Sequence, residues 1–243
     1  IRDSHTAGEL PKAEEVYDQI LEAFPNQPQA LHLLGLIAHQ RGENEKAVEL
    51  ITKVLTIQPD YAEAHCNLGV VQKDLGNSNE AVVSYKKAIS IKPEYTIAHN
   101  NLGALYYAQN RFDDAISSYK KAISIKPDYA EAHNNLGAIF QELGQLEDAI
   151  DRFQEALTIN PNFAETYNNL GNTLRNLGQL EEAADNYHKA IDLKPEYAEA
   201  HCNLGVVLKE MGKSDDAMSS YKKAIGINPK YAEAHNNLSL IHI

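Results

Sequence analysis

The stretch AEAHNNLGAIFQELGQLEDAIDRFQEALTINPNF, residues 130–163, holds two apolar patterns separated by Gly144 and Gln145 and closed by Pro161. In the first pattern His133, Leu136, Gly137, Phe140 and Leu143 fall on one face at about 100° per residue. Ala149, Phe153, Ala156 and Leu157 do the same in the second. Steps of three and four predict two helices, and a link this short predicts that they fold back as a hairpin. Pro161 lacks a backbone donor and biases Asn160 away from helical geometry, which ends the second helix.

The same text returns every 34 residues. That shift aligns Gly35, Gly69, Gly103, Gly137, Gly171 and Gly205, with Ser239 in the next place; it also aligns Ala47, Ala81, Ala115, Ala149, Ala183 and Ala217. Pro59, Pro93, Pro127, Pro161, Pro195 and Pro229 form a third row. Counting Pro28 as position 1 gives six full units, 28–61, 62–95, 96–129, 130–163, 164–197 and 198–231. Residues 1–27 read as the latter part of another unit, with Gly8, Ala13, Tyr17 and Pro25 in phase, and 232–237 as the start of a truncated one. The expectation is one solenoid over 1–237. LSLIHI, residues 238–243, breaks the pattern and resembles a translated sequencing adapter, so it reads as a non-native tail and His242 takes no role.

Small residues at positions 8, 20 and 27 allow helices to approach, while Tyr85, Tyr119, Phe153, Tyr187 and Tyr221 fill the space beside them. One hairpin has too little core to stand alone, so stability comes from stacking. The fold class is all-α.

Composition excludes several functions. A formal net charge of −12 leaves no basic stripe for nucleic acid or an anionic membrane, and no run of about 18 apolar residues exists to span a bilayer. Cys66 and Cys202 stand 136 residues apart, four periods, and so sit on distant units beyond the roughly 4.4–6.8 Å that a disulfide requires. Reduced thiols point to an intracellular, cytoplasmic setting, although Ile1 is no normal initiator and a targeting segment upstream is compatible with the text. His65, His99, His133, His201 and His235 recur at position 4 on the packed side, where packing or inter-helix hydrogen bonds explain them better than a metal. Neither cofactor nor catalytic constellation is expected: the carboxylates, such as Glu147 and Asp148, fit helix ends and solvent.

Position 6 is Asn67, Asn101, Asn135, Asn169, Asn203 and Asn237, and position 5 adds Asn100, Asn134 and Asn168 beside Cys66 and Cys202. Asparagine is a poor helix former, costing about 0.5 kcal/mol or more against alanine. Positions 2, 6, 9 and 13 point away from the packed side, so position 6 reads as a stripe on an open face. A carboxamide offers two donors and an acceptor, which match the alternating groups of an extended main chain. Asn172 at position 9 joins this peptide-binding set. Glu63, Glu131, Glu165 and Glu199 at position 2, with Asp74, Glu142 and Glu210 at position 13, would tune the groove toward a basic peptide. The competing reading makes these amides solvent-facing helix residues copied by repeat duplication, or bonds them between adjacent repeats. A further expectation is self-association through the exposed hairpin ends.

The 34-residue period, the Leu136–Gly137 pair, Ala149, Ala156 and Pro161 closely resemble the tetratricopeptide repeat family. Histidine in place of the frequent tryptophan at position 4, Asn110 in place of a linking glycine and Ile51 in place of an aromatic are mild departures. The resemblance implies a right-handed superhelical α-α solenoid that binds proteins. The recurring NNLG is similar to the repeat region of protein O-GlcNAc transferases, whose inner asparagines hold the backbone of acceptor proteins for a separate catalytic domain. That likeness carries the role to Asn67, Asn101, Asn135, Asn169, Asn203 and Asn237, with the catalytic domain absent from this chain.

Overall fold

The computed structural model describes residues 10–240, so Gly8 and His242 lie outside the described residues. Every regular element among them is an α-helix. α1 (Leu10–Ala23), α2 (Pro28–Gln40), α3 (Asn44–Ile57), α4 (Ala62–Asp74), α5 (Ser78–Ile91), α6 (Thr96–Ala108) and α7 (Phe112–Ile125) belong to one compact unit. α8 (Ala130–Glu142), α9 (Leu146–Ile159), α10 (Ala164–Asn176), α11 (Leu180–Leu193), α12 (Ala198–Glu210), α13 (Ser214–Ile227) and α14 (Ala232–Ser239) belong to a second, which begins at Lys126. Within each unit an even-numbered, leading helix packs on the odd-numbered, returning helix that follows it, and that helix packs on the next leading one. Each unit is therefore a solenoid of stacked helical hairpins.

The link inside the hairpin needs a left-handed residue. Gly42, Gly76, Gly144, Gly178 and Gly212 have φ between 72° and 82°, and Asn110 fills the same place at φ 57°. The reversal is closed by paired backbone bonds, such as Asn77 N–H to Gln72 C=O at 2.8 Å and Gly76 N–H to Lys73 C=O at 2.9 Å. At the far end, the residue before proline is driven out of helical geometry, with φ/ψ of −128°/86° at Lys92 and −128°/90° at Asn160.

A ring inserted against a glycine holds each hairpin together. A Cβ built on Gly69, Gly103, Gly137, Gly171 or Gly205 would stand 2.6–2.8 Å from the Cε1 of Tyr85, Tyr119, Phe153, Tyr187 or Tyr221, closer than atoms pack. Where Ile51 replaces the ring, its Cγ1 takes the space over Gly35 at 2.8 Å. Leading helices are buried over a wider arc than the sequence pattern suggests. Ala64, Ala98, Ala132, Thr166 and Ala200 at position 3 are buried, as are Val71, Leu105, Ile139, Thr173 and Val207 at position 10. A stacked helix faces both its own partner and its neighbours, so one apolar stripe cannot cover all its contacts.

Candidate functional site: the asparagine row

Five repeats share one hydrogen bond. The position-6 carboxamide donates from Nδ2 to the position-5 side chain of the preceding repeat, always 35 residues back. Asn67 reaches His32 Nε2 at 2.8 Å, Asn101 reaches Cys66 Sγ at 4.0 Å, Asn169 reaches Asn134 Oδ1 at 3.2 Å and Asn203 reaches Asn168 Oδ1 at 3.0 Å. Asn237 engages Cys202 in the same sense. The first two rungs lie in the first unit and the others in the second. Each of these position-6 side chains is half-buried, and in Asn67, Asn101, Asn169 and Asn203 the Oδ1 and one Nδ2 hydrogen have no hydrogen-bond partner among the described residues. Asn135 is half-buried in the same row of α8.

Position 5 lies behind that row. Asn100, Asn134, Asn168, Cys66 and Cys202 are all buried, with Asn168 and Cys202 wholly so. The two cysteines are thus closed to a ligand, because the neighbouring repeat covers position 5. Burial pushes both thiols up to about 11, which leaves them protonated and inert at neutral pH. Asn134 Oδ1 also accepts from Thr166 Oγ1 at 3.0 Å, and Asn168 Nδ2 donates to Glu199 Oε1 at 3.0 Å. These side chains anchor the row from inside.

Asn172 differs from its neighbours in use as well as in sequence. Its Oδ1 accepts from the Tyr187 hydroxyl at 2.7 Å, which satisfies a buried phenol. Where position 9 is Val70 or Val206, the hydroxyls of Tyr85 and Tyr221 are buried without a partner.

Much of the acidic rim is already neutralised by the protein. Glu63 pairs with Lys92 Nζ at 3.0 Å and Glu165 with Lys194 Nζ at 3.1 Å, both within one repeat. Glu210 takes Arg175 of the preceding repeat through Nε at 3.0 Å and Nη2 at 2.6 Å, and Asp74 lies 3.4 Å from His39 Nε2 and 3.6 Å from Lys73 Nζ. Burial works against the Glu63 carboxylate, yet the hydrogen bond and charge of Lys92 outweigh it and hold its pKa below the ordinary value. Glu131 and Glu142 are exposed.

The position-4 histidines make an inter-element bond that the sequence reading left unspecified. Nε2 of His65, His99, His133, His201 and His235 donates to the carbonyl of Pro59, Pro93, Pro127, Pro195 and Pro229, at 2.8–3.0 Å. Each ring thereby ties the proline turn to the next leading helix. Among the described residues no group of three or more His, Cys, Asp or Glu side chains could hold a metal ion, and no helix is long and apolar enough to cross a membrane.

His32 was the position-5 residue that sequence reasoning passed over. The 34-residue shift places it in register with Asn100 and Asn134, and that register was the available signal.

Comparison with known proteins bears on the fold and family. A family profile described as TPR repeat matches residues 35–76, 73–110, 105–144, 139–178 and 171–212, and one described as Tetratricopeptide repeat matches 198–231. No curated protein sequence matches the chain. A chain in the APC/C hetero-tetramer Cut9-Hcn1 is similar in structure, with TM-score 0.84 and 18% identity over 97% of this chain and 46% of that one. The present chain thus spans less than half of that relative. YrrB, a TPR protein with an unusual peptide-binding site, gives TM-score 0.60 and 24% identity over 78% of this chain and 97% of its own. MamA gives TM-score 0.60 and 29% identity over 68% and 97% respectively. Since the profile matches run from residue 35 to residue 231, the chain belongs to the tetratricopeptide repeat family.

Proposed function

We propose that the chain is a protein-interaction scaffold whose position-6 carboxamides hold the main chain of an extended peptide. The observation that carries this reading is the common orientation of Asn67, Asn101, Asn169 and Asn203. One N–H of each is tied to the repeat behind, which leaves an acceptor and a donor on the half-exposed row. A carboxamide held this way loses little freedom on binding, so several weak contacts can add along a strand. Asn135 and Asn237 extend the row within the second unit, while Asn100, Asn134 and Asn168 support it from beneath. YrrB, with its peptide-binding site, is a precedent for peptide recognition on this fold.

Partner charge is the secondary determinant. At least four of the seven rim carboxylates already engage basic side chains, so the preference for a basic peptide rests on Glu131 and on the net charge of −12. Main-chain recognition makes a specific prediction for an (Ala-Ser)8 peptide, which carries almost no side-chain information. Replacing alternate amides by esters removes N–H donors and should weaken binding several-fold by calorimetry, because each contact is worth about 0.5–1.5 kcal/mol. Equal affinity of ester and amide peptides would reject the reading.

A narrower reading, the recognition arm of a protein O-GlcNAc transferase, is supported by the NNLG repeats alone. None of the three solved structures named above is described as a glycosyltransferase. A UDP-GlcNAc-binding domain in the same polypeptide would support it. Self-association is supported by the exposure of Val16 on α1 and of Phe24 immediately after it, and a dilution series in light scattering tests it.

A further inference from the structure

Four of the five position-5 anchors described above are amides or un-ionised thiols. The fifth is an imidazole. His32, on α2, is 6% exposed and uses both ring nitrogens: Nδ1 lies 3.0 Å from the Tyr61 hydroxyl and Nε2 lies 2.8 Å from Asn67 Nδ2. The Tyr61 ring also packs edge-on against it, with centroids 4.9 Å apart. Since the carboxamide donates, Nε2 must present its lone pair, which puts the proton on Nδ1, facing the Tyr61 oxygen. Only neutral imidazole satisfies this geometry.

We propose that His32 positions Asn67, and that protonation of His32 reverses the Asn67 carboxamide and exchanges the acceptor it presents for a donor. An imidazolium has two N–H groups and no lone pair. Its Nε2–H would then oppose the Asn67 N–H, and rotation of the amide by half a turn brings Oδ1 into bonding position. The Nδ2 group then takes the place of Oδ1 on the half-exposed row. In the other rungs the anchors are Cys66, Asn134, Asn168 and Cys202, which undergo no such change near neutrality.

The surroundings fix the direction of the titration. α1, α3 and α4 pack against α2. Tyr61, at the entrance to α4, and Glu63, in its first turn, are the titratable groups that face the ring, and Lys92 holds Glu63 from its other side. No charged group of α1 or α3 is among those acting on it. Burial lowers the His32 pKa from its ordinary value, and the Glu63 charge opposes that in part. The switch therefore operates on the acid side of about pH 6.5.

The reversal itself needs no ligand, whereas its effect on binding rests on the peptide reading above. The test uses the full chain with asparagine side chains labelled by nitrogen-15, titrated from pH 7.5 to 5 by NMR. The expected result is that the Asn67 amide signals move with the His32 ring signals and share their midpoint. Asn67 signals that stay fixed while His32 titrates would overturn the proposal. His32→Asn supplies the rescue, because asparagine is the anchor at two other rungs: Asn67 should then lose its titration, and persistence of the same titration would also overturn it. In parallel, (Ala-Ser)8 affinity should change at least threefold more with pH in the parent than in His32→Asn. An unchanged difference, with amide reversal intact, would contradict the peptide reading and leave the positioning role standing.

Discussion

Tyr187 and Tyr221 sit in the same place in two repeats of one unit, yet their hydroxyls differ. Tyr187 bonds Asn172, while Tyr221, over Val206, is buried unpaired. A buried donor without an acceptor costs about 1–3 kcal/mol, whereas a satisfied one contributes about 1 kcal/mol. Tyr187→Phe should therefore lower stability by about 1 kcal/mol, and Tyr221→Phe should leave it unchanged or raise it, read from urea midpoints. The natural Phe153 shows that the position accepts a bare ring. At Cys66 and Cys202 the same logic of burial predicts slow chemistry. With thiols raised to about 11, alkylation by iodoacetamide at pH 8 should be slow in the folded chain and fast in urea. His32 also acts on stability. Its folded pKa is lowered, so below about pH 6.5 the unfolded chain binds more protons and stability falls as pH drops. His32→Asn should flatten that part of the curve. Sequence placed the position-6 asparagines on one half-exposed row, because a 34-residue period fixes which residues are equivalent. It could not show that position 5 is covered, since that depends on the neighbouring repeat rather than on the helix's own periodicity.

Hairpin geometry depends on two backbone positions with opposite demands. At the link, the chain needs positive φ, and the open space around Gly42, Gly76, Gly144, Gly178 and Gly212 shows that conformation alone is the constraint. Asn110 meets it at some cost, so Asn110→Gly should stabilise the first unit by about 0.5–1 kcal/mol, and Gly144→Ala should destabilise the second by about 1 kcal/mol. At position 8 the constraint is space. Gly103→Ala would put a Cβ 2.8 Å from Tyr119 Cε1, and its cost should be about 1–3 kcal/mol in thermal or urea unfolding. If Gly103→Ala proved neutral, the close approach of ring and backbone would be wrong. These elements were legible from sequence: glycine, small residues and proline at fixed offsets name the turns and the approach. The full burial of positions 3 and 10 was less so, because a leading helix contacts several others and its apolar residues no longer form one stripe.

Across the molecule, the two compact units share one local rule: a carboxamide is fastened to the repeat behind it and keeps one donor and one acceptor available. That rule explains how helix-disfavoured asparagine recurs in a stable solenoid, since the ladder contributes hydrogen bonds between repeats. The central test is the variant carrying Asn67→Ala, Asn101→Ala, Asn169→Ala and Asn203→Ala, with helicity checked by circular dichroism and (Ala-Ser)8 affinity measured by calorimetry. With helicity retained, the account predicts a loss of more than about fivefold, from the two contacts within each unit, each worth about 0.5–1.5 kcal/mol. A helical variant that binds the peptide as tightly as the parent would contradict it.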